Sequence, residues 1–159
     1  MNILDQPPVR RVREALASAG IVVQIVEVPD AARTARAAAE FLRCDVAQIA
    51  NSLVFRTAGD RAVLVMSSGA KRVDTTKLAA LLGEPVHKAD ADFVKASTGF
   101  AIGGVAPCGH AGELVKFVDR ALADHAEIWA AAGHPHTLFK LTYAELLRVT
   151  GGAEASVAE

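Results

Sequence analysis

Residues 98–110 have the sequence TGFAIGGVAPCGH, and this stretch carries the strongest structural signal in the chain. Four of its thirteen residues are glycine, and Pro107 restricts the backbone at a fifth position. Glycine within an apolar, strand-like run marks a bulge, a bend or the close approach of another backbone. The adjacent Gly103 and Gly104 leave backbone N–H and C=O groups uncovered, which is typical of a pocket wall. A tight bend that lets a sheet curl is the alternative interpretation.

The composition around this stretch predicts one ordinary globular domain over residues 1–159. Hydrophobic residues make up 52% of the chain, charged residues 22%, and the formal net charge is −1. This balance gives no support for a DNA-binding protein. Two distant cysteines, Cys44 and Cys108, suit a reducing cytoplasm better than a disulfide framework. No apolar run approaches the ~20 residues of a membrane span, and the N-terminus lacks the pattern of a signal peptide. We therefore expect a cytoplasmic protein without membrane contact.

Apolar periodicity and capping residues predict the elements on both sides of the glycine-rich stretch. Thr34, Asp45, Asp74 and Thr142 can each cap a helix. Helices are expected at 9–19, 35–42, 75–82 and 143–149, with shorter ones at 45–49 and about 90–96. Strands are expected at 21–28, 51–56, 61–68, 114–119, 127–132 and 137–141, and the end of the chain from Thr150 is expected to fray.

Several neighbouring strands are predicted to be joined as hairpins, most clearly 51–56 with 61–68. Helices come early and late, whereas most strands cluster in the middle of the chain. This order predicts an α/β (α+β) fold with a mixed sheet, not a doubly wound parallel sheet.

No common catalytic motif is present, so the candidate chemistry depends on isolated residues. Cys108, His110, His134 and His136 are of the types that bind zinc, and the alternative is that the histidines are polar residues at a pocket rim. Cys108 with His110 would suit a cysteine nucleophile only if the two were in hydrogen-bond reach in an electropositive setting. The simpler interpretation of Cys108 is a small buried residue.

Two other features suit a binding role. Lys71 and Arg72 follow Gly69 and precede a predicted helix, a context that favours phosphate binding, although exposed cations are also common on any surface. Asn51 begins an apolar strand, where it is either a pocket donor or a strand-end cap.

The order of several segments closely resembles the YbaK/prolyl-tRNA-synthetase-associated editing domains. These segments are RTARAAAEFL, QIANSLVF, SGAKRVD, TGFAIGGVAPCGH and EIWAAAGHPHTLFKLTYAELLRVTGG. The resemblance extends from about Val9 to Gly152, and the Gly-Gly-Val-Ala-Pro element with the upstream Thr-Gly is its most specific part.

The resemblance implies a strongly curved, barrel-like mixed sheet surrounded by helices. It also implies an aminoacyl-tRNA deacylase that hydrolyses the ester of a mischarged tRNA, often a tRNA for proline, without a metal or cofactor. The expected partners are the mischarged tRNA and, as an optional further partner, an aminoacyl-tRNA synthetase. A non-catalytic module of the same fold that binds tRNA or a synthetase is the alternative, and a metal-dependent hydrolase that uses Cys108 and the histidines is a third reading.

Two positions depart from the family pattern. Asn51 stands where members commonly have lysine, and Leu138 stands where many have aspartate. Both departures favour the binding module. Asn51 can still form hydrogen bonds but lacks the point charge of lysine.

The resemblance, taken with the residue types, assigns catalytic roles to Asn51, Gly103 and Gly104. Backbone N–H groups at 103–105 are expected to bind the carbonyl or oxyanion. We also expect Gly104→Val to fill the pocket and leave the fold mostly intact. The expected substrate-binding residues are Lys71, Arg72, Thr98, Gly99, Val105, His110, His134 and His136.

Overall fold

The computed structural model describes residues 2–30, 32 and 34–159, and this part of the chain contains five α-helices and eight strands. The helices are α1 (Pro7–Ser18), α2 (Ala35–Leu42), α3 (Thr75–Leu82), α4 (Ala91–Thr98) and α5 (Tyr143–Thr150). The strands are β1 (Ile25–Glu27), β2 (Ile49–Thr57), β3 (Ala62–Ser68), β4 (Val86–Lys88), β5 (Val115–Asp119), β6 (Ile128–Ala131), β7 (Thr137–Leu141) and β8 (Ala153–Ala155).

All eight strands belong to one mixed sheet with the order β1-β7-β6-β2-β3-β5-β8, and β4 pairs with β2 outside this path. β2 pairs antiparallel with β3 and parallel with β6, so both pairing modes meet at one strand. The predicted α/β (α+β) class with a mixed sheet is confirmed. The sheet is open, because β1 and β8 end the path without pairing to each other.

The predicted helix caps are confirmed where side chains satisfy the first free N–H groups. The Thr34 hydroxyl accepts from the Ala37 N–H at 3.0 Å, and the Asp74 carboxylate accepts from the Thr76 N–H at 2.9 Å. Thr142 and Glu145 form a reciprocal capping box at the start of α5. Each such cap typically contributes about 1 kcal/mol, which explains why local sequence located these helix starts well.

The structure differs from the sequence expectation at three places. Only Ile25–Glu27 of the predicted strand 21–28 forms a strand, and β4 has no counterpart among the predicted strands. The end of the chain is not frayed: β8 pairs parallel with β5, and Val157 is fully buried. Pairing with β5 orders these residues, and small residues without clear periodicity give no local signal of a distant partner.

The described residues form three hydrophobic clusters, the third of which contains Phe55, Val63 and Leu78. The first contains Val54, Val94, Val105 and the apolar face of α1. The second includes Ile49 and Leu138, packed with the alanines of α2. Within the described residues, no helix is long and apolar enough to cross a membrane.

Candidate functional site

The site begins with a gap along one edge of β2. The other edge pairs with β3 without interruption, from Ala50 opposite Ser68 to Arg56 opposite Ala62. On the gapped edge, β6 pairs only with residues 49–50, and β4 pairs only with residues 55–57. β2 therefore has a strand neighbour on one side only at residues 51–54.

A pocket of about 310 Å³ lies at this gap. Residues from the first and second hydrophobic clusters line it, including Val94 and Val105 from the first and Leu138 from the second. The first turn of α2 forms another wall, and the loop residues Ile102 and Gly103 approach from the glycine-rich stretch. Most of the wall is apolar, so polar groups inside it act with little competition from water.

Few polar side chains line this pocket. The Asn51 amide makes no hydrogen bond with any described residue and is half-buried, so it is available to a ligand. The Ser52 hydroxyl donates to the Met66 Sδ at 3.3 Å, and the Thr34 hydroxyl caps α2. Asn51 therefore lies in the pocket wall, where one of the two interpretations of the sequence placed it.

Lys88 is the one charged side chain among the described pocket-lining residues. It is exposed and forms no ion pair with a described carboxylate. Sequence reasoning missed it because β4 is too short to show a periodic pattern. Pairing of Lys88 with Phe55 of β2 brings this cation to the pocket beside Asn51 and Ser52.

The two adjacent glycines have different surroundings. Gly103 lines the pocket with a left-handed φ of +88°, and none of the described residues accepts a hydrogen bond from its N–H or from that of Val105. Gly104 does not line the pocket, and its N–H donates to the Ala101 C=O at 2.9 Å. Gly103 and Val105 therefore keep available donors, whereas the N–H of Gly104 is already used within the loop.

A side chain at Gly104 would clash with backbone and would not enter the pocket. A Cβ there would lie 2.9 Å from the carbonyl carbon and Cα of His134. Real Cβ atoms essentially never come so close, so one of the two loops must move. The expectation that Gly104→Val fills the pocket with little effect on the fold is therefore wrong.

The first residues of the glycine-rich stretch are part of the end of α4. Thr98 is fully buried, and its hydroxyl donates to the Val94 C=O at 2.7 Å. Gly99 is the left-handed C-cap of α4, and its C=O accepts from the Arg11 guanidinium at 3.0 Å. Neither residue lines the pocket, so the structure does not bring these two predicted binding residues to it.

Cys108 and His110 pack away from the pocket as well. Burial raises the pKa of the Cys108 thiol to about 12, so the thiolate form needed by a nucleophile is disfavoured. The His110 Nε2 lies 2.7 Å from the Ala106 C=O, and burial lowers the pKa of this imidazole. This environment supports the interpretation of Cys108 as a small buried residue.

His134 and His136 flank Pro135, which does line the pocket. The His134 Nδ1 accepts a hydrogen bond from the backbone N–H of His136 at 3.0 Å. Burial of the His134 imidazole and, to a smaller extent, the charge of the nearby His136 lower the pKa of His134. The His136 Nε2 lies 3.0 Å from the Asp30 carboxylate. These contacts fix the loop that carries Pro135, and neither histidine itself lines the pocket.

Lys71 and Arg72 are exposed in the turn after β3 and do not line the pocket. The turn starts close to the pocket wall, because a Cβ at Gly69 would lie 2.9 Å from the Ala35 Cβ. Among the described residues, no group of three or more His, Cys, Asp or Glu side chains is placed to hold a metal ion. The zinc interpretation of Cys108 and the histidines therefore has no support in the geometry.

Comparison with known proteins gives concordant matches. The model of the aminoacyl-tRNA editing domain family matches residues 29–149. The uncharacterized protein YwhH of Bacillus subtilis (strain 168) is 30% identical over 122 residues, which cover 77% of this chain and 78% of YwhH.

Two solved structures have the same fold. One is provisionally described as a trans-editing enzyme for prolyl tRNA synthetase, and it is 41% identical in sequence with a TM-score of 0.90. The match covers 97% of this chain and 98% of the chain in that structure. The other is the hypothetical protein APE2540, which is 28% identical in sequence with a TM-score of 0.86. That match covers 94% of this chain and 99% of the APE2540 chain.

Proposed function

Because the chain belongs to the aminoacyl-tRNA editing domain family, we propose that it is a trans-editing deacylase. It hydrolyses the ester bond of a mischarged aminoacyl-tRNA, and the substrate is a small amino acid on tRNA for proline. The main observation behind this proposal is the apolar pocket at the β2 gap. Asn51 and Gly103 line this one cavity, and neither the Asn51 amide nor the Gly103 N–H has a hydrogen-bond partner among the described residues.

The chemistry needs little more than positioning. Water attacks the ester carbonyl carbon, the carbonyl oxygen becomes an oxyanion, and the bond to the ribose oxygen breaks as that oxygen takes a proton. The N–H groups of Gly103 and Val105 stabilise the oxyanion, and such a donor is typically worth about 2.7–4 kcal/mol. No described carboxylate or histidine lines the pocket as a general base, so the ribose hydroxyl next to the ester assists the water.

Asn51 and Lys88 have separate roles, orientation of the acyl group and attraction of a tRNA phosphate. Asn51 orients the acyl group by hydrogen bonding, since its amide has no other described partner. Lys88 supplies positive charge at the pocket for the phosphate group that precedes the 3′-terminal nucleotide of the tRNA. Lys71 and Arg72 extend this attraction along the tRNA from the turn beside α2.

The apolar walls set the size of the amino acid. Val94, Val105 and Leu138 present fixed, buried side chains to the cavity. A small side chain fits without displacing them, whereas a larger one must move packed residues, which typically costs about 1–3 kcal/mol.

A deacylation panel tests the proposal. Alanyl-, seryl-, threonyl- and prolyl-tRNA, all on tRNA for proline, are incubated with the protein and with Asn51→Ala. We expect at least one mischarged ester to be hydrolysed faster than prolyl-tRNA, and the variant to be slower. Tight tRNA binding without hydrolysis of any ester would overturn the enzyme proposal in favour of the binding module, which Asn51 and Leu138 favour.

A further inference from the structure

The hydrogen-bond pattern of β2 determines which backbone groups face the gap. The Gly69 N–H donates to the Ile49 C=O at 2.7 Å, and the Thr57 N–H donates to the Arg61 C=O at 3.0 Å. In an antiparallel ladder the bonded residues alternate. The odd-numbered residues of β2 therefore bond to β3, and the even-numbered residues direct their N–H and C=O to the opposite edge.

A bond on that opposite edge supports the assignment. The Ala89 N–H donates to the Val54 C=O at 3.1 Å, as expected of an even-numbered residue. Ala50, at the other end of the gap, is the last position paired with β6. Ser52 lies between them and has no described backbone partner on this edge.

The Ser52 N–H and C=O therefore face a mostly apolar pocket, and no described residue forms a hydrogen bond with them. Buried backbone polar groups are almost always paired, because an unpaired group costs about as much as a lost hydrogen bond. Ser52 is half-buried and lines the pocket wall, so its main-chain groups are positioned for a ligand.

We propose that the Ser52 main chain binds the α-amino and carbonyl groups of the aminoacyl ester, as one residue of an added strand. This inference rests on the proposed deacylase function. The Ser52 C=O accepts a hydrogen bond from the α-ammonium group, and the Ser52 N–H donates to the ester carbonyl. Two directly opposed residues of an antiparallel pair exchange two bonds in this way.

The pairing also fixes the direction of the substrate side chain. Opposed residues of a β-bridge project their side chains to the same face of the sheet. An L-amino acid opposite Ser52 therefore directs its side chain to the face of Val54, where Val94 and Val105 lie in the first cluster. A D-amino acid bound by the same two bonds directs it to the face of Ile49 and Leu138.

Acyl analogues test the proposal on the unaltered protein. The same tRNA is acylated with L-alanine, D-alanine or propionate, and each enzymatic rate is divided by the spontaneous hydrolysis rate of that ester. Propionate lacks the α-amino group, so its corrected kcat/KM should fall at least about tenfold, the effect of one hydrogen bond to a charged group. D-alanine should also be hydrolysed more slowly than L-alanine.

A pair of variants tests the N–H donor. Ser52→Pro removes this N–H without removing a bond to β3, and Ser52→Ala keeps the N–H while removing the same hydroxyl. We expect Ser52→Pro to lower kcat several-fold more than Ser52→Ala does, at similar thermal stability. The acyl series still decides the proposal if Ser52→Pro does not fold.

The outcomes separate the two proposals. Hydrolysis of no mischarged ester by the unaltered protein would overturn the deacylase and this inference together. Equal corrected rates for L-alanine and propionate would overturn the Ser52 pairing and leave the deacylase standing. Folded Ser52→Pro with the kcat of Ser52→Ala would also overturn the pairing.

Discussion

The two halves of the glycine-rich stretch have opposite surroundings. Ile102, Gly103 and Val105 line a pocket, and the N–H groups of Gly103 and Val105 have no described partner, whereas residues 108–109 pack against α1. A Cβ at Gly109 would lie 3.2 Å from the Arg11 C=O, and the Cys108 Sγ lies 4.0 Å from the Val12 C=O. One glycine-rich run therefore lines a pocket at one end and packs closely against a helix at the other.

The adjacent glycines give the same contrast at the smallest scale. A Cβ at Gly103 would make ordinary van der Waals contact with Pro135, 3.6 Å from the proline Cβ. Gly104 is buried and touches the His134 backbone. Substitutions on each side can test this division of the stretch into a pocket side and a packed side.

The largest expected effect comes from Gly104→Val compared with Gly103→Ala. Gly104→Val must separate two loops, so we expect it to lower the free energy of unfolding by about 3 kcal/mol and to abolish deacylation. Gly103→Ala meets no close contact but is strained by its positive φ, which costs about 1–2 kcal/mol. Urea unfolding measures both. Equal destabilisation by the two substitutions would contradict the division.

Asn51→Ala should lower kcat/KM for deacylation by about two- to twelvefold, which corresponds to one hydrogen bond of 0.5–1.5 kcal/mol. The thermal midpoint should change little, because the amide has no described partner to lose. Asn51→Lys should broaden or shift the amino acid preference. A large stability loss in Asn51→Ala would show that the residue acts as a strand-end cap and would remove it from the pocket chemistry.

The basic side chains near the pocket should also differ in their effect on activity. Lys88→Ala should reduce kcat/KM several-fold, because Lys88 lines the pocket and attracts a tRNA phosphate there. Lys71→Ala with Arg72→Ala should leave kcat unchanged and reduce the salt slope of tRNA binding by about 0.7–0.9 for each phosphate that the protein no longer neutralises. Unchanged affinity and salt dependence in the double variant would place the tRNA-binding surface elsewhere.

The smallest effect concerns His110 on the packed side. Burial lowers the pKa of His110 in the folded protein, so below a pH of about 6.5 the unfolded chain binds more protons than the native state. Stability should therefore fall as pH decreases through this range, and His110→Gln should weaken that dependence. Thermal midpoints at pH 7.5 and 5.5 measure it, with exposed His87→Gln as the control. The same pH dependence in both variants would exclude His110 as a contributor.

The sequence alone determined the helices and strands that depend on interactions between residues close together in the chain. Capping residues such as Thr34, Asp74 and Thr142 satisfy N–H groups within one turn of the helix, so their effect needs no distant contact. The two near-continuous apolar runs of the β2–β3 hairpin, joined by a short turn, were visible for the same reason. The segments of family resemblance identified the editing domain, and the glycine pair and Asn51 pointed to the part of the chain that forms the pocket.

Only the tertiary structure decided which residues meet at the site. Lys88 reaches the pocket because a three-residue strand pairs with β2. The Ser52 main chain has no strand neighbour on this edge because the pairing of β6 stops at Ala50 and that of β4 starts at Phe55. The same packing directs Gly104 against His134 and keeps Thr98, Gly99 and His110 away from the pocket. Strand pairing between distant segments has no counterpart in local propensity, so one sequence pattern, Gly-Gly, contains both a pocket wall and a packing contact.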